Sequence, residues 1–445
     1  MALSQTELLN EAKKLELQGL KKCPITPVFI SKLDTLLYDV YAILRPKPID
    51  YHNRRDLIRI LNAITKELYG NSGNSPVVEG FGSFVMDMFS IGSDLDLSVN
   101  FGNIVGTFPR DMKIKTLRKF AKKFYSLQRE GHVIGVQAIM TARVPIIKFI
   151  DCGTGIECDL SVENRDGIQK SQILHIVSGI DERFQKLSFL MKAWAKAHNI
   201  NSPKDRTLSS LSIIQLVAFH LQTRDPPIIP PFCTLFEDGT DPVIVMKRVK
   251  NYSEFGKGNK ESLADLFITL LVKVASVENL WQKGLCASLY QGSWTSKLWT
   301  SKLWDTPYIS VEDFTDPSQN VARAVGREQF KEIYGCIHSS LCHLLSFSDG
   351  HIQGHQLVDL LFGSDSVSIV PRQIDTESYD ESKANLAVPL NGRQTKRMRV
   401  SKGLKEKQQG EGWRGGQQTQ RWEQHGNWKK GKEENNLMAG VEEHN

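Results

Sequence analysis

The stretch that decides the fold is Glu79-Gly80-Phe81-Gly82-Ser83, followed after ten intervening residues by Asp94-Leu95-Asp96-Leu97. Side chains alternate between the two faces of a β-strand, so residues two apart point the same way. Asp94 and Asp96 are therefore predicted on one face of a strand, with the leucines between and after them in the core. Two carboxylates on one face repel each other unless a cation is bound between them. The pattern predicts a metal site for Mg²⁺, with Mn²⁺ as the alternative.

Gly82 and Ser83 supply the second half of such a site. Glycine lets the backbone approach a triphosphate closely, and the serine hydroxyl with nearby N–H groups can bind its oxygens. Phosphoryl transfer depends mainly on positioning and charge neutralisation, so these parts predict nucleotidyl transfer. An Asp-x-Asp pair alone is a weak signal, because such pairs occur in many solvated loops. The Gly-Ser at this distance and a later acid make the combination specific.

The later acid is Asp159, in the segment Glu157-Cys158-Asp159-Leu160-Ser161. It alternates with apolar neighbours in a second predicted strand, so it is expected to line the same face as the first pair. In a two-metal site it would bind the metal that activates the attacking hydroxyl. Glu157, two residues earlier, is the alternative ligand at that place.

Hydrophobic periodicity divides the chain into two parts and a tail. Strands are predicted at 77–78, 95–99, 146–150 and 156–162, the last two as a hairpin. Helices are predicted at 28–46, 53–70, 113–127 (basic), 180–198, 208–222, 262–274, 321–334 and 337–346. The prolines of 225–232 must end the helix before them. The predicted fold class is α+β, a mixed α/β domain joined to a mostly helical one.

The composition excludes some classes of protein. The 445 residues carry a net charge of +6, which fits a polyanionic partner. No uncharged apolar run of about 18 residues occurs, so no membrane span is expected. The seven cysteines are scattered, which favours free thiols in a reducing compartment. The protein is expected to be soluble and intracellular, and the basic cluster at 393–402 leaves both nucleus and cytoplasm open.

Residues 365–445 form a predicted disordered tail, since Gln, Gly, Glu, Lys and Asn dominate there and apolar periodicity is lost. Trp413, Trp422 and Trp428 alternate with charged residues in this basic, polar tail. That mixture suits contact with single-stranded RNA through stacking and phosphate attraction. A solvated linker without a partner explains the same composition equally well.

These motifs resemble the signature of the DNA polymerase beta superfamily. The stretch 28–345 resembles its terminal nucleotidyltransferase branch, most of all the plant small-RNA uridylyltransferases. The resemblance is carried by TARVPIIKF (141–149), CDLSVEN (158–164), FLMKAWAKAHNIN (189–201) and SVEDFTDPSQNVARAV (310–325). It implies a polymerase-beta-like nucleotidyltransferase palm, a mixed sheet with flanking helices. It also implies a mostly helical central domain of the poly(A) polymerase/oligoadenylate synthetase type.

The resemblance also implies domain limits. N-terminal helices would occupy 1–50 and pack partly on the helical domain. The catalytic domain would span 51–168, and the helical central domain 169–350, with a nucleotide recognition loop near 308–325. The tail at 365–445 would follow.

By this resemblance, Asp94, Asp96 and Asp159 are the catalytic acids and metal ligands. The nucleotide-binding residues would be Gly82 and Ser83 at the triphosphate, Asn164 near the ribose 2′-hydroxyl, Lys192 and Lys196 at the phosphates, Ser210 at the triphosphate, and Asp313 and Asp316 at the base edge. The two lysines are four residues apart, so they lie on one helix face and can reach the same anion.

Three positions depart from the family pattern. Leu211 stands where the family usually has a tyrosine stacked on the base, a stacking contact that contributes roughly 1–3 kcal/mol. Phe314-Thr315 replaces a proline-phenylalanine pair, and Gln319 stands where several uridylyltransferases have a histidine that favours uracil. The metal site therefore matches fully, whereas the base site does not.

The function implied is template-independent addition of uridylates from UTP to RNA 3′ ends, which marks the RNA for turnover. The RNA would be a small RNA or an mRNA fragment, and an RNA-silencing or RNA-decay protein is an expected partner. The alternatives are an adenylyltransferase that uses ATP and an RNA-binding homologue with weak catalysis. A small-molecule nucleotidyltransferase is disfavoured by the helical domain and the basic tail.

Overall fold

A computed structural model describes residues 4–23, 26–71, 75–102, 107–297 and 308–364. The predicted tail, its basic cluster and its tryptophans lie outside these ranges, so their roles stay predictions. Among the helices that the structure describes, none combines the length and the apolarity needed to cross a bilayer.

A mixed sheet forms the first part of the fold, as predicted. It has five strands, of which the one at Val133–Ile139 was not predicted. Its strands are β1 (Val77–Phe81), β2 (Leu95–Asn100), β3 (Val133–Ile139), β4 (Ile146–Asp151) and β5 (Glu157–Val162). Their order in the sheet is β1-β2-β5-β4-β3. Strands β2 and β5 run parallel, and every other neighbouring pair runs antiparallel.

Two helices cover one face of this sheet, α3 (Pro48–Tyr69) and α4 (Arg110–Arg129). Leu57 of α3 and Phe124 of α4 belong to the same apolar cluster as the inward side chains of the strands. Phe124 stacks on Phe149 of β4 with ring centroids 4.3 Å apart. Alternation along the strands leaves the opposite face for polar side chains, and the acids are found there.

The second part is mostly helical, as predicted. Its helices are α5 (Arg165–Ser178), α6 (Glu182–Ala197), α7 (Ser210–Gln222), α8 (Phe232–Leu235), α9 (Pro242–Val249), α10 (Leu263–Ser276), α11 (Arg327–Ser348) and α12 (Gly354–Phe362). Helix α7 is buried from Ser212 to its end and ends before the proline-rich segment, as expected. The N-terminal helices α1 (Gln5–Lys22) and α2 (Pro27–Leu44) add Leu8 and Leu33 to the apolar core of this helical part. The domain limits drawn from the sequence stay predictions.

Several elements differ from the sequence prediction. The two helices expected at 321–334 and 337–346 form the single helix α11, which begins only at Arg327. The residues before it belong to a turn fixed by Asn320, whose side chain donates to the Ile309 carbonyl and accepts from the Val311 N–H. Apolar residues buried in this turn imitate helical periodicity. A second sheet was not predicted, and it contains β6 (Leu285–Ser288), β7 (Ser293–Ser296) and β8 (Val311–Glu312) in the order β7-β6-β8.

Candidate functional site

The three predicted acids meet at one point. Asp96 of β2 lies beside Asp159 of β5 in the parallel register, and Asp94 immediately precedes β2. One oxygen from each of the three carboxylates lies within 4.8 Å of the others. Glu157, the alternative to Asp159, does not belong to this cluster; its carboxylate lies 2.7 Å from Nζ of Lys148, which also contacts Asp159. The structure therefore brings together the three acids named first from the sequence.

The surroundings of the acids disfavour their charged forms. Burial raises the pKa of Asp96 to about 8, and the charges of Asp94 and Asp159 add to this effect. Burial also raises the pKa of Asp159, although a contact of 2.8 Å with Lys148 opposes the shift. Three carboxylates this close are stable as anions only beside added positive charge. Their oxygens fit a hard divalent cation, which prefers carboxylate ligands.

Gly82 lies close to these acids and cannot be replaced without strain. Its φ of +68° lies in the left-handed region, and a Cβ built there would come within 2.1 Å of an Asp96 carboxylate oxygen. The Gly82 N–H donates to the hydroxyl of Ser171 on α5 at 2.8 Å. Ser171 was not predicted from the sequence, because a serine inside a helix carries no local signal of such a contact.

Cationic side chains hold the loop between Gly82 and Asp94. Arg54 on α3 donates to the carbonyls of Ile91 and Ser93 at 3.2 and 2.6 Å. Lys192 and Lys196 on α6 donate to the carbonyls of Met88 and Gly92 at 2.7 and 3.3 Å, so both lysines point to the same loop, as their spacing predicts.

Of the cations that contact this loop, Lys192 was predicted from the sequence and Arg54 was not. Burial lowers the pKa of Lys192 to about 8, and the charges of Asp94 and Asp96 oppose this shift. Arg54 was missed in the sequence. It shares the apolar face of its helix with Leu57 and Leu61, so a charged residue at a core position was the available signal.

A cleft of about 960 Å³ gathers most of the predicted nucleotide-binding residues. They are Gly82, Ser83, Asn164, Lys192, Lys196 and Ser210, with Asp94 and Asp96 of the acids. Asn164 caps the N-terminus of α5, and its side chain accepts from the Gly167 N–H. Ser210 opens α7 and hydrogen-bonds with Asn201. Leu211 also lines the cleft.

Asp313 and Asp316 are not among the residues that line this cleft. Asp313 is buried, and its carboxylate lies 2.6 Å from Nζ of Lys170 on α5. Asp316 is exposed and accepts hydrogen bonds from Ser318. Lys170 does line the cleft and was missed in the sequence, where its spacing from Asp166 suggests only an ordinary helix pair. The structure thus places a lysine, rather than these acids, on the cleft wall.

Comparisons with known proteins identify relatives of this chain. Residues 33–179 match the family model described as poly(A) RNA polymerase, mitochondrial-like, central palm domain. The chain is similar to Protein HESO1 of Arabidopsis thaliana, 32% identical over 320 residues, which cover 68% of this chain and 61% of that protein. It is also similar to terminal uridylyltransferase 7 of Homo sapiens, 27% identical over 346 residues, which cover 72% of this chain and 21% of that protein.

A solved structure shows the same fold. The crystal structure of mtPAP in complex with UTP superposes with a TM-score of 0.61 at 19% identity, covering 82% of this chain and 75% of that one. The predicted fold class and the resemblance to terminal nucleotidyltransferases are confirmed. The chain spans about three fifths of the length of the first relative and a fifth of the second.

Replacing Asp96 with asparagine should stabilise the metal-free protein, and more so as the pH rises. The folded-state pKa of about 8 exceeds the ordinary value of 3.8, so the folded protein binds more protons between these limits. Wild-type stability is therefore lost as the pH rises through this window. We expect the advantage of Asp96→Asn to grow by more than 1 kcal/mol from pH 6 to pH 8, since one pKa unit corresponds to about 1.4 kcal/mol. Urea denaturation in the presence of EDTA measures the unfolding free energy of both proteins at each pH.

The control is Asp39→Asn, which changes an exposed carboxylate on α2 and should show no such trend. Adding magnesium should stabilise the wild type and leave Asp96→Asn unchanged. An advantage of Asp96→Asn that is equal at both pH values would contradict the raised pKa.

Replacing Lys170 with methionine should cost about 3–5 kcal/mol of unfolding free energy, because it leaves the buried Asp313 carboxylate without its cation. The double variant Lys170→Met, Asp313→Leu should recover most of that loss. Lys331→Met is the matched control, since its partner Glu328 is as exposed as the lysine and such pairs contribute about 0–1 kcal/mol. Urea denaturation distinguishes the cases, and equal losses for the two single variants would show that the Lys170–Asp313 pair is not a strong buried contact.

Proposed function

We propose that this chain, a relative of the RNA terminal nucleotidyltransferases, adds uridylates from UTP to RNA 3′ ends without a template. The observation that carries the proposal is the meeting of Asp94, Asp96 and Asp159, the first two of which line a cleft of nucleotide size together with Gly82 and Ser83. An acid cluster alone would indicate a cation site. An acid cluster next to a glycine-serine turn and a pair of lysines indicates a nucleoside triphosphate with its metals.

The three acids would hold two Mg²⁺ ions, or Mn²⁺ as the alternative, which would neutralise the triphosphate and activate the attacking 3′-hydroxyl. The chain's own groups position the nucleotide. Gly82 permits close approach of the backbone to the phosphates, and Ser83 adds a hydroxyl donor.

Lys192 and Lys196 now donate to carbonyl groups of the loop. A phosphate oxygen is a stronger acceptor than a neutral carbonyl, because an anion and an ammonium form a charge-assisted bond. We therefore expect both lysines to move to the phosphates when the nucleotide binds. Asn164 would contact the ribose and Ser210 the triphosphate, and the Leu211 side chain would pack on the base.

Uridylate is favoured over adenylate because the sequence match to a terminal uridylyltransferase covers more of this chain than the match to a poly(A) polymerase. The sequence match to the human mitochondrial poly(A) RNA polymerase covers 36% of this chain, and the mtPAP structure, at 19% identity, supports a shared fold but no choice of nucleotide. The match to a terminal uridylyltransferase covers 72% of the chain, so it extends into the part that carries the recognition loop. Adenylate addition is the second candidate, because Leu211 and Gln319 depart from the uridylyltransferase pattern.

We further propose that the RNA is a small RNA or an mRNA fragment destined for turnover. An RNA-silencing or RNA-decay protein would deliver it, in the nucleus or the cytoplasm. These statements follow from the resemblance and from the basic tail.

The replacement Asp94→Ala should abolish nucleotide transfer with a change in unfolding free energy below about 1 kcal/mol. The side chain is exposed and is repelled by its neighbours, so the fold does not depend on it. Extension of a labelled RNA in magnesium and UTP measures activity, and urea denaturation measures stability. Asp39→Ala serves as the control for loss of one exposed acid. Near-wild-type transfer by Asp94→Ala would reject the assignment of the site.

The wild type should extend RNA faster with UTP than with ATP, CTP or GTP, each supplied alone. Replacing Leu211 with tyrosine should restore an aromatic face and lower the KM for the nucleotide about fivefold, the equivalent of about 1 kcal/mol of stacking. The kcat should change little if the ring acts only in binding. Clear preference for ATP would reject uridylation, and an unchanged KM in Leu211→Tyr would show that residue 211 does not contact the base.

A further inference from the structure

Helix α4 carries a set of cations that the catalytic site does not use. Lys113, Lys119 and Lys123 have partners within the protein: Nζ of Lys113 donates to a backbone carbonyl, that of Lys119 lies over the Tyr69 ring, and that of Lys123 pairs with Glu67. In the part of the chain that the structure describes, the side chains of Arg118, Lys122 and Arg129 form no ion pair or hydrogen bond. One helix thus carries one set of cations that serves the fold and another that does not.

The second set lines a groove of about 500 Å³ between α4 and the edge strand β3. Its lining residues are Arg118, Ala121, Lys122, Tyr125, Arg129, Ala138 and Met140. The three cations and the tyrosine follow one another at intervals of three or four residues, so they form one stripe of the helix. The stripe is about 16 Å long from its first to its last cation. Tyr125 is 43% exposed, which leaves its ring open to a planar ligand.

This groove is separate from the catalytic cleft. None of its lining residues belongs to the cleft. Ala138 of β3 is paired with the buried Ile147, whereas the preceding residue, Gln137, is paired with Lys148, which contacts the catalytic Asp159. Neighbouring residues of a strand point to opposite faces, so the groove and the acids lie on opposite faces of the sheet.

A fixed loop leads from the groove to the region of the recognition loop. It starts at Met140, and Arg110 donates to the carbonyls of Met140, Ala142 and Arg143 at 2.7 to 3.0 Å. The side chain of Arg143 in turn donates to Gln319 at 3.3 Å. Arg110 and Arg143 therefore add positive charge between the groove and the segment expected to form the recognition loop.

We propose that the groove binds the single-stranded part of the RNA upstream of its 3′ end. Cations without internal partners attract phosphates, and an exposed aromatic ring between them stacks on a base, the combination found in single-strand binding sites. An acidic protein segment would pair with the cations but has no base to stack on the Tyr125 ring, so the groove fits RNA better. The identity of the ligand as RNA rests on the proposed function, so binding is measured separately from transfer.

The test compares two matched double variants of the full-length chain, Arg118→Gln with Lys122→Gln, and Lys119→Gln with Lys123→Gln. Each removes two charges from α4, but only the first pair lies in the groove. Binding of a 5′-fluorescein-labelled, 24-nucleotide single-stranded RNA is followed by fluorescence anisotropy, without nucleotide or metal. We expect the groove pair to weaken binding about tenfold. The slope of log K against log salt should become less steep by about 1.4, which corresponds to two lost phosphate contacts.

Tyr125→Ala, which changes no charge, should also weaken binding about tenfold while leaving the salt slope unchanged. Equal losses for the two double variants would overturn the proposal, because net charge alone would then explain binding. Unchanged binding in Tyr125→Ala, or groove-dependent binding that is tighter for duplex RNA or polyglutamate, would also overturn it. Groove-dependent RNA binding by a wild type that transfers no nucleotide in magnesium would support the groove and reject the proposed function.

Discussion

Asp94, Asp96 and Asp159 converge beside the cleft, and the repulsion among their carboxylates is the constraint on which the surrounding structure depends. Parallel pairing of β2 with β5 sets Asp96 beside Asp159, and apolar neighbours on the other sheet face keep water from the strands. Like charges interact far more strongly in such surroundings than in water. Positive charge is therefore needed nearby, and the chain provides part of it with Lys148 and Lys192. A bound divalent cation would supply the remaining positive charge.

Cationic side chains hold the loop between the glycine-serine turn and the first acid. Arg54, Lys192 and Lys196 come from two helices and all donate to its carbonyl groups. These hydrogen bonds hold a loop that is also anchored by the buried Met86, Met88 and Phe89, and they bring two ammonium groups close to the acids. Groups that are already oriented need little reorganisation during a reaction. The same side chains thus organise the site and prepare it for an anion.

The segment expected to form the nucleotide recognition loop is tied to the cleft wall by the buried pair of Lys170 and Asp313. This pair joins α5, which begins at Asn164, to the segment that precedes α11. The carboxylate expected to read a base is occupied by a lysine, and the lysine occupies the cleft wall. Lys170 and Leu211 both line this cleft.

The sequence by itself determined the strands that carry the acids, the acids themselves, the glycine-serine turn and the facing lysines. Each of these rests on a period of two or of about four residues, which neighbours along the chain are enough to set. Only the tertiary structure decided that Ser171 holds Gly82, across 89 residues, and that Lys170 binds Asp313, across 143. It also decided that α11 begins at Arg327, because the buried turn before it is stabilised by contacts with the second sheet. Such contacts depend on how whole elements pack, and no local pattern records them.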